Sequence, residues 1–193
     1  GIERAHLVGM SMGGGIAQHA ALVAPERVAS LTLMSTSPAV GGDRKLPSMR
    51  AELAAVFADP PAPPDWADRE AVIDYVVADL CPYRGSIPVD EAALRALVAR
   101  IVDRTTNVEA SMTNHFVDEG QPVQGGLGDI RAPTLVLHGT EDPLFPIEHG
   151  EALADEVPGS RLVALEGMGH EVPPRPLWDQ VVAAILEHTA EKR

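Results

Sequence analysis

A chain of 193 residues, 45% hydrophobic and 22% charged, is long enough for one domain with a proper core and too short for two large ones. No apolar run approaches the roughly 20 residues that a membrane-spanning helix needs, so no membrane partner is expected. The net charge of −13 repels phosphate backbones and argues against nucleic acid as a partner. The one cysteine, Cys81, cannot form an internal disulfide or a cysteine metal cluster. It closes an apolar stretch at 76–80, where packing is its expected role, and a reducing, cytoplasmic compartment is the corresponding expectation.

The run from Ala5 to Val8 is short, apolar and stopped by Gly9, as a buried strand would be. Small and apolar residues dominate from Met12 to Val23, with Pro25 just beyond, which predicts a helix packed closely on a sheet. Ser30 to Met34 reads as a second strand, completing a parallel strand-helix-strand unit. The segment 39–128 has a different character, with a proline-rich joint at 60–64, a glycine-rich stretch at 125–128 and no convincing strand. Asp65 is placed to cap a helix through Ile73 and Val77, and Asp90 one through Leu94, Leu97 and Ile101. Alternation then resumes: strand at Thr134 to His138, helix at Ile147 to Val157, strand at Arg161 to Leu165, helix at Leu177 to His188. The expected organisation is an α/β core at 1–38 and 129–193, a parallel sheet flanked by helices, with a helical cap or lid inserted at 39–128.

Gly9-Met10-Ser11-Met12-Gly13 matches the G-x-S-x-G nucleophile elbow. The pattern arises by chance about 0.06 times in such a chain, and here it also has the required strand before it and helix after it. A serine in so sharp a turn needs small neighbours on either side, and its hydroxyl stands at a helix N-terminus that favours developing negative charge. No lysine follows the glycines, so the segment is not a phosphate loop.

A serine hydroxyl becomes nucleophilic only when a base takes its proton, and the base needs an orienting acid. The elbow therefore predicts an acid and then a histidine downstream, each just after a strand. Asp142 and His170 satisfy both order and position, with the adjacent Glu141 as the alternative acid. His19, His149 and His188 fall on predicted helices, where packed or surface imidazoles are the plainer reading. His138 ends a strand near the site and is read as supporting it or touching substrate, while His115 has no assignment. No histidine pair has the close helical spacing of a metal motif, so no metal is expected.

The blocks Leu7 to Gly14, Leu135 to Asp142 and Gly167 to His170 resemble the nucleophile, acid and histidine blocks of the α/β-hydrolase superfamily of esterases, lactonases and related enzymes. Within it, the segments around His149-Gly150 and Gly167 to His170 are similar to polyketide methylesterases of the aclacinomycin methylesterase kind. The resemblance implies the C-terminal portion of an α/β-hydrolase fold, with strands and an oxyanion-hole loop upstream of the elbow, about 90 to 110 residues by domain-length priors. A 193-residue chain lacking that portion is expected to be catalytically incompetent.

The implied chemistry is hydrolysis of an ester of a small to medium apolar molecule through an acyl-enzyme on Ser11. His170 would be base then acid, Asp142 would fix its tautomer, and the Met12 N–H would hold the oxyanion. Met10, Phe145 and Met168 are candidate substrate contacts, with Trp66, Met112 and Phe116 as lid candidates; each has core packing as its alternative. Serine, imidazole and water suffice, so no cofactor is expected. The same three residues could serve C–C bond hydrolysis, lactone opening or cofactor-free perhydrolysis, and a hydrolase-shaped small-molecule receptor is the alternative from another class. Dehalogenase and epoxide hydrolase chemistry is disfavoured, because those relatives resemble versions with aspartate at the position of Ser11.

Overall fold

The computed structural model describes residues 1–41, 44–114 and 124–190. Four strands, β1 (Ala5–Met10), β2 (Val28–Met34), β3 (Thr134–Gly139) and β4 (Arg161–Leu165), pair in parallel in the order β1-β2-β3-β4. Parallel neighbours need crossovers. α1 (Met12–Val23) joins β1 to β2, α6 (Glu148–Glu156) joins β3 to β4, and α7 (Trp178–Thr189) follows β4. Between β2 and β3 lie α2 (Ala51–Ala58), α3 (Arg69–Leu80), α4 (Glu91–Arg104) and α5 (Val108–Thr113).

The period-two rule of strands divides the core into two layers. Leu31, Leu33 and Val136 face one cluster, which Ala17 and Ala21 of α1 and Leu153 of α6 complete. Met34, Leu135 and Leu137 face the other, closed by Met168 and by Val181 and Ala184 of α7. All of β3 is buried, as expected of a strand covered on both faces, and this explains its nearly unbroken apolar run. His188, near the end of α7, donates from Nε2 to the carbonyl of Leu31 at 2.8 Å and so ties that helix to β2.

The chain divides into two compact units. One comprises Gly1–Arg50, Tyr83–Ile87 and Val123–Arg193, and the other Ala51–Pro82 and Pro88–Pro122. The helical unit is thus narrower than the insertion expected at 39–128: the two ends of that span, to Arg50 and from Val123, and the five internal residues Tyr83–Ile87 belong with the sheet.

In the helical unit, Leu53, Val72, Ile73 and Val98 are buried. Asp90 caps α4 by accepting from Ala93 N. The cap of α3 is Asp68, which accepts from Glu70 N and Ala71 N. Asp65, the expected cap, instead closes a preceding turn by accepting from Ala67 N, so the helix begins one turn later. Arg69 pairs with Asp103 at 2.7 and 2.9 Å, and Arg95 bonds Glu70 and Asp74, linking α3 to α4 through exposed pairs that water screens. Trp66 meets Tyr75 edge-on, with centroids 5.8 Å apart. Cys81 is exposed rather than packed, because it follows the last turn of α3, where its Sγ donates to Val77 O. No helix among the described residues is long and apolar enough to cross a membrane.

Leu135 is fully buried at the centre of the sheet. Leu135→Ala is expected to cost about 2–5 kcal/mol in denaturant unfolding, through lost transfer energy and the cavity left behind.

Candidate active site

Parallel register sends the carboxyl ends of all four strands to one edge of the sheet, where ligand sites of open α/β sheets lie. Ser11 follows β1, Asp142 follows β3 and His170 follows β4, and the structure brings the three together there.

Ser11 has φ 51° and ψ −122°, a left-handed conformation that a residue with a Cβ adopts only when its surroundings impose it. The imposing contacts are main-chain: Ser11 N donates to Met34 O at 3.0 Å, and Gly14 N donates to Ser11 O at 2.9 Å. The buried Thr36 adds a 2.7 Å bond from its hydroxyl to Ser11 O. Steric need for glycine falls at two positions. A Cβ on Gly9 would lie 2.2 Å from Gly13 O, and one on Gly14 would lie 2.6 Å from the Thr36 side chain. A Cβ on Gly13 would meet nothing within 4 Å. The demand for small neighbours on either side of the serine is therefore met by Gly9 and Gly14, since the turn folds back on Gly9 and then packs α1 against Thr36. Met12 opens α1, so its N–H is among the first-turn donors that have no intrahelical acceptor.

Asp142 is fully buried, and its charge is met by three donors. Oδ1 accepts from Leu144 N at 2.9 Å and Phe145 N at 2.8 Å, and Oδ2 lies 2.8 Å from His170 Nδ1. An ionised carboxylate only accepts, so Nδ1 carries the proton and Nε2 is left as the acceptor. Nε2 lies 2.9 Å from Ser11 Oγ, and the serine hydroxyl donates to it. The result is a continuous chain from buried carboxylate through imidazole to hydroxyl. Glu141 faces elsewhere, accepting from the Ser86 hydroxyl at 2.9 Å.

His138 is fully buried beneath this chain and donates from Nε2 to Phe145 O at 2.7 Å, which braces the turn that binds Asp142. Burial pushes its imidazole below the usual range, against the Phe145 carbonyl and the Asp142 charge that favour protonation. His149 is also buried, its ring nitrogens 2.8 Å from Ser37 Oγ and 2.9 Å from Pro47 O.

Of the proposed substrate contacts, Phe145 stands edge-on to His170 with centroids 5.4 Å apart. Met168 is fully buried in the second core cluster and Met10 packs against that cluster, so both are core side chains here. Trp66 and Met112 lie in the helical unit, while His115 and Phe116 fall outside the described residues. No group of three or more possible metal ligands occurs among the described residues. The supporting place read for His138 from its position at a strand end agrees with its bond to Phe145 O, whereas Thr36 and the contacts of Tyr83–Ile87 carry no sequence signal, because their partners lie 25 and more residues away along the chain.

Sheet, elbow and buried acid-histidine pair together define a class, and the comparisons agree: the chain belongs to the alpha/beta hydrolase fold family, whose family model matches residues 1–174. It is similar to rhodomycin D methylesterase DauP of Streptomyces sp. (strain C5), at 30% identity over 97% of this chain and 67% of the relative. It is also similar to a 2-hydroxy-6-oxononadienedioate/2-hydroxy-6-oxononatrienedioate hydrolase of Paraburkholderia phymatum, at 32% identity over 88% of this chain and 57% of that protein. The chain thus spans between about half and two thirds of the length of these relatives. Among solved structures, a meta-cleavage product hydrolase from Pseudomonas fluorescens IP01 superposes with a TM-score of 0.65 at 22% identity, covering 100% of this chain and 66% of that one.

Two predictions follow from this geometry. Gly9→Ala and Gly14→Ala should each lower thermal stability, whereas Gly13→Ala, whose Cβ enters open space in the first turn of α1, should leave it nearly unchanged; thermal unfolding of the three variants checks the order. The second concerns pH. Folded His138 stays neutral while the unfolded chain takes up a proton near the usual imidazole value of about 6.5. Stability should therefore be full above about pH 6.5 and fall as pH drops toward the lowered folded value. His138→Gln should flatten that slope in denaturant unfolding at a series of pH values.

Proposed function

We propose that the protein is a serine hydrolase that cleaves a carboxylic ester through an acyl-enzyme on Ser11. The supporting observation is the hydrogen-bonded chain Asp142–His170–Ser11, with links of 2.8 and 2.9 Å at the carboxyl edge of a parallel sheet.

In this reading Ser11 Oγ attacks the ester carbonyl while its proton passes to His170 Nε2. Asp142 holds the tautomer that leaves Nε2 free to accept and stabilises the imidazolium that forms. Charge on the tetrahedral oxygen is met by the Met12 N–H at the start of α1. The intermediate collapses, the alcohol leaves with the proton from His170, and water repeats the sequence in reverse to release the acid. Ester and water become acid and alcohol, with no other reactant needed. Phe145, edge-on to the imidazole, is the proposed apolar contact for the substrate.

A methyl ester of a small to medium apolar molecule is the proposed substrate class, supported by the similarity to a methylesterase over 97% of this chain. C–C bond hydrolysis by the same three residues is the second reading, favoured by the 32% identity to an oxo-dienedioate hydrolase. A panel of methyl esters run beside a 2-hydroxy-6-oxo-dienoate separates them, because only the first releases methanol. A small-molecule receptor would do neither and would not react with a fluorophosphonate.

In full-length protein, fluorophosphonate should label Ser11, and Ser11→Ala should abolish labelling and hydrolysis while leaving the fold intact. Asp142→Asn should cost about 10⁴-fold in turnover, because the wrong histidine tautomer is then favoured. Glu141→Gln should cost far less. The reverse order in kinetic assays would make Glu141 the acid.

A further inference from the structure

Tyr83–Ile87, flanked on both sides by the helical unit, belongs to the sheet-bearing unit and is bonded to the histidine loop. His170 N donates to Tyr83 O at 2.7 Å, and Ser86 N donates to Gly167 O at 2.9 Å. One carboxylate oxygen of Glu171 accepts from Gly85 N at 3.2 Å and from Gly169 N at 3.3 Å, joining segments 86 residues apart in sequence. The Ser86 hydroxyl donates to Glu141, beside Asp142, at 2.9 Å.

Packing is equally close. A Cβ on Gly85 would lie 2.0 Å from Gly167 O, and a Cβ on Gly169 would lie 2.2 Å from Tyr83 O. On its other side the same loop presses against β3, where a Cβ on Gly139 would lie 2.2 Å from Met168 O. Gly167 itself has φ 71°, so the loop adopts a turn that side-chain-bearing residues resist. The histidine loop is therefore clamped main chain to main chain, between the end of β3 and the 83–87 segment.

We propose that Tyr83–Ile87 and Glu171 are positioning elements for His170, setting the imidazole at bonding distance from Ser11 and Asp142; the proposal rests on the hydrolase reading above. Glu171 acts through geometry as an acceptor bridging two N–H groups, and not through its charge. Displacement of a reacting group by about 1 Å can cost about 10²-fold in rate, which is the scale on which such a clamp matters.

The test compares full-length wild type with Glu171→Ala, Glu171→Gln and Ser86→Ala. Three quantities are read: kcat and KM for p-nitrophenyl acetate, the rate of fluorophosphonate labelling, and the downfield proton resonance of His170 Nδ1–H bonded to Asp142. Glu171→Ala should lower kcat and labelling by about 10- to 100-fold with KM changed less than about threefold. Its Nδ1 resonance should broaden or move. Glu171→Gln keeps an acceptor oxygen and should recover most of the rate and the resonance. Ser86→Ala, which removes one hydroxyl, provides a milder variant with a smaller kcat loss should Glu171→Ala fold poorly. Wild-type rates and an unmoved resonance in both Glu171→Ala and Ser86→Ala would overturn the proposal, as would equal losses in Glu171→Gln and Glu171→Ala. Wild type that is not labelled at Ser11, but whose resonance still responds to Glu171→Ala, would remove the hydrolase reading and leave the positioning role standing.

Discussion

Ser11 is held in a backbone conformation that it would not choose, and the rest of the site is arranged around that fact. At φ 51° the serine points its hydroxyl away from the sheet, at the first turn of α1. The cost of such a conformation is of order 1–3 kcal/mol. It is offset by bonds to Met34 O and from Thr36 to the serine carbonyl, and by the absence of a side chain at Gly9. The two bonds depend on β1 and β2 lying in the observed parallel register, with Met10 opposite Met34. The fold thus determines where a hydroxyl can stand before any chemistry is considered.

The same register supplies the partners. With β3 beside β2 and β4 beside β3, the loops carrying Asp142 and His170 emerge on the edge where Ser11 stands. Burying a carboxylate is costly unless its lone pairs are used, and Asp142 uses them on two main-chain N–H groups and one imidazole. Those two N–H groups belong to the turn that His138 braces from below through Phe145 O. A neutral imidazole suits that brace: its Nε2 proton is the one the carbonyl requires, and burial keeps a second proton off.

Much of this was legible in the sequence, for definite reasons. α1 and β4 have the expected bounds, because their apolar spacing and flanking glycine or proline leave one reading each. Ser11, Asp142 and His170 follow from chain order and strand ends, which are local properties. Asp65 and Asp68 are chemically equivalent caps three residues apart, and their letters alone do not show which of the two closes a turn and which opens the helix. Gly13 and Gly14 are likewise indistinguishable as letters, and only the position of Thr36, 22 residues beyond Gly14, shows which one must lack a side chain. The contacts of Tyr83–Ile87 were illegible because they join main-chain groups, which every residue carries, to partners more than 80 positions away.

That last feature bears on how such a site can diversify. At Gly85, Gly139 and Gly169 three loops meet through atoms common to all amino acids, and the requirement imposed on the sequence at those positions is that a side chain be absent. Glu171 and Met168 add side-chain support, the one as a bridging acceptor and the other as core. An exposed side chain such as Val172, two residues after His170, can change in size and polarity without entering these close approaches. A lineage built on this plan can drift in what it accepts without rebuilding how it reacts, and its tolerance to mutation is lowest where its sequence looks least informative.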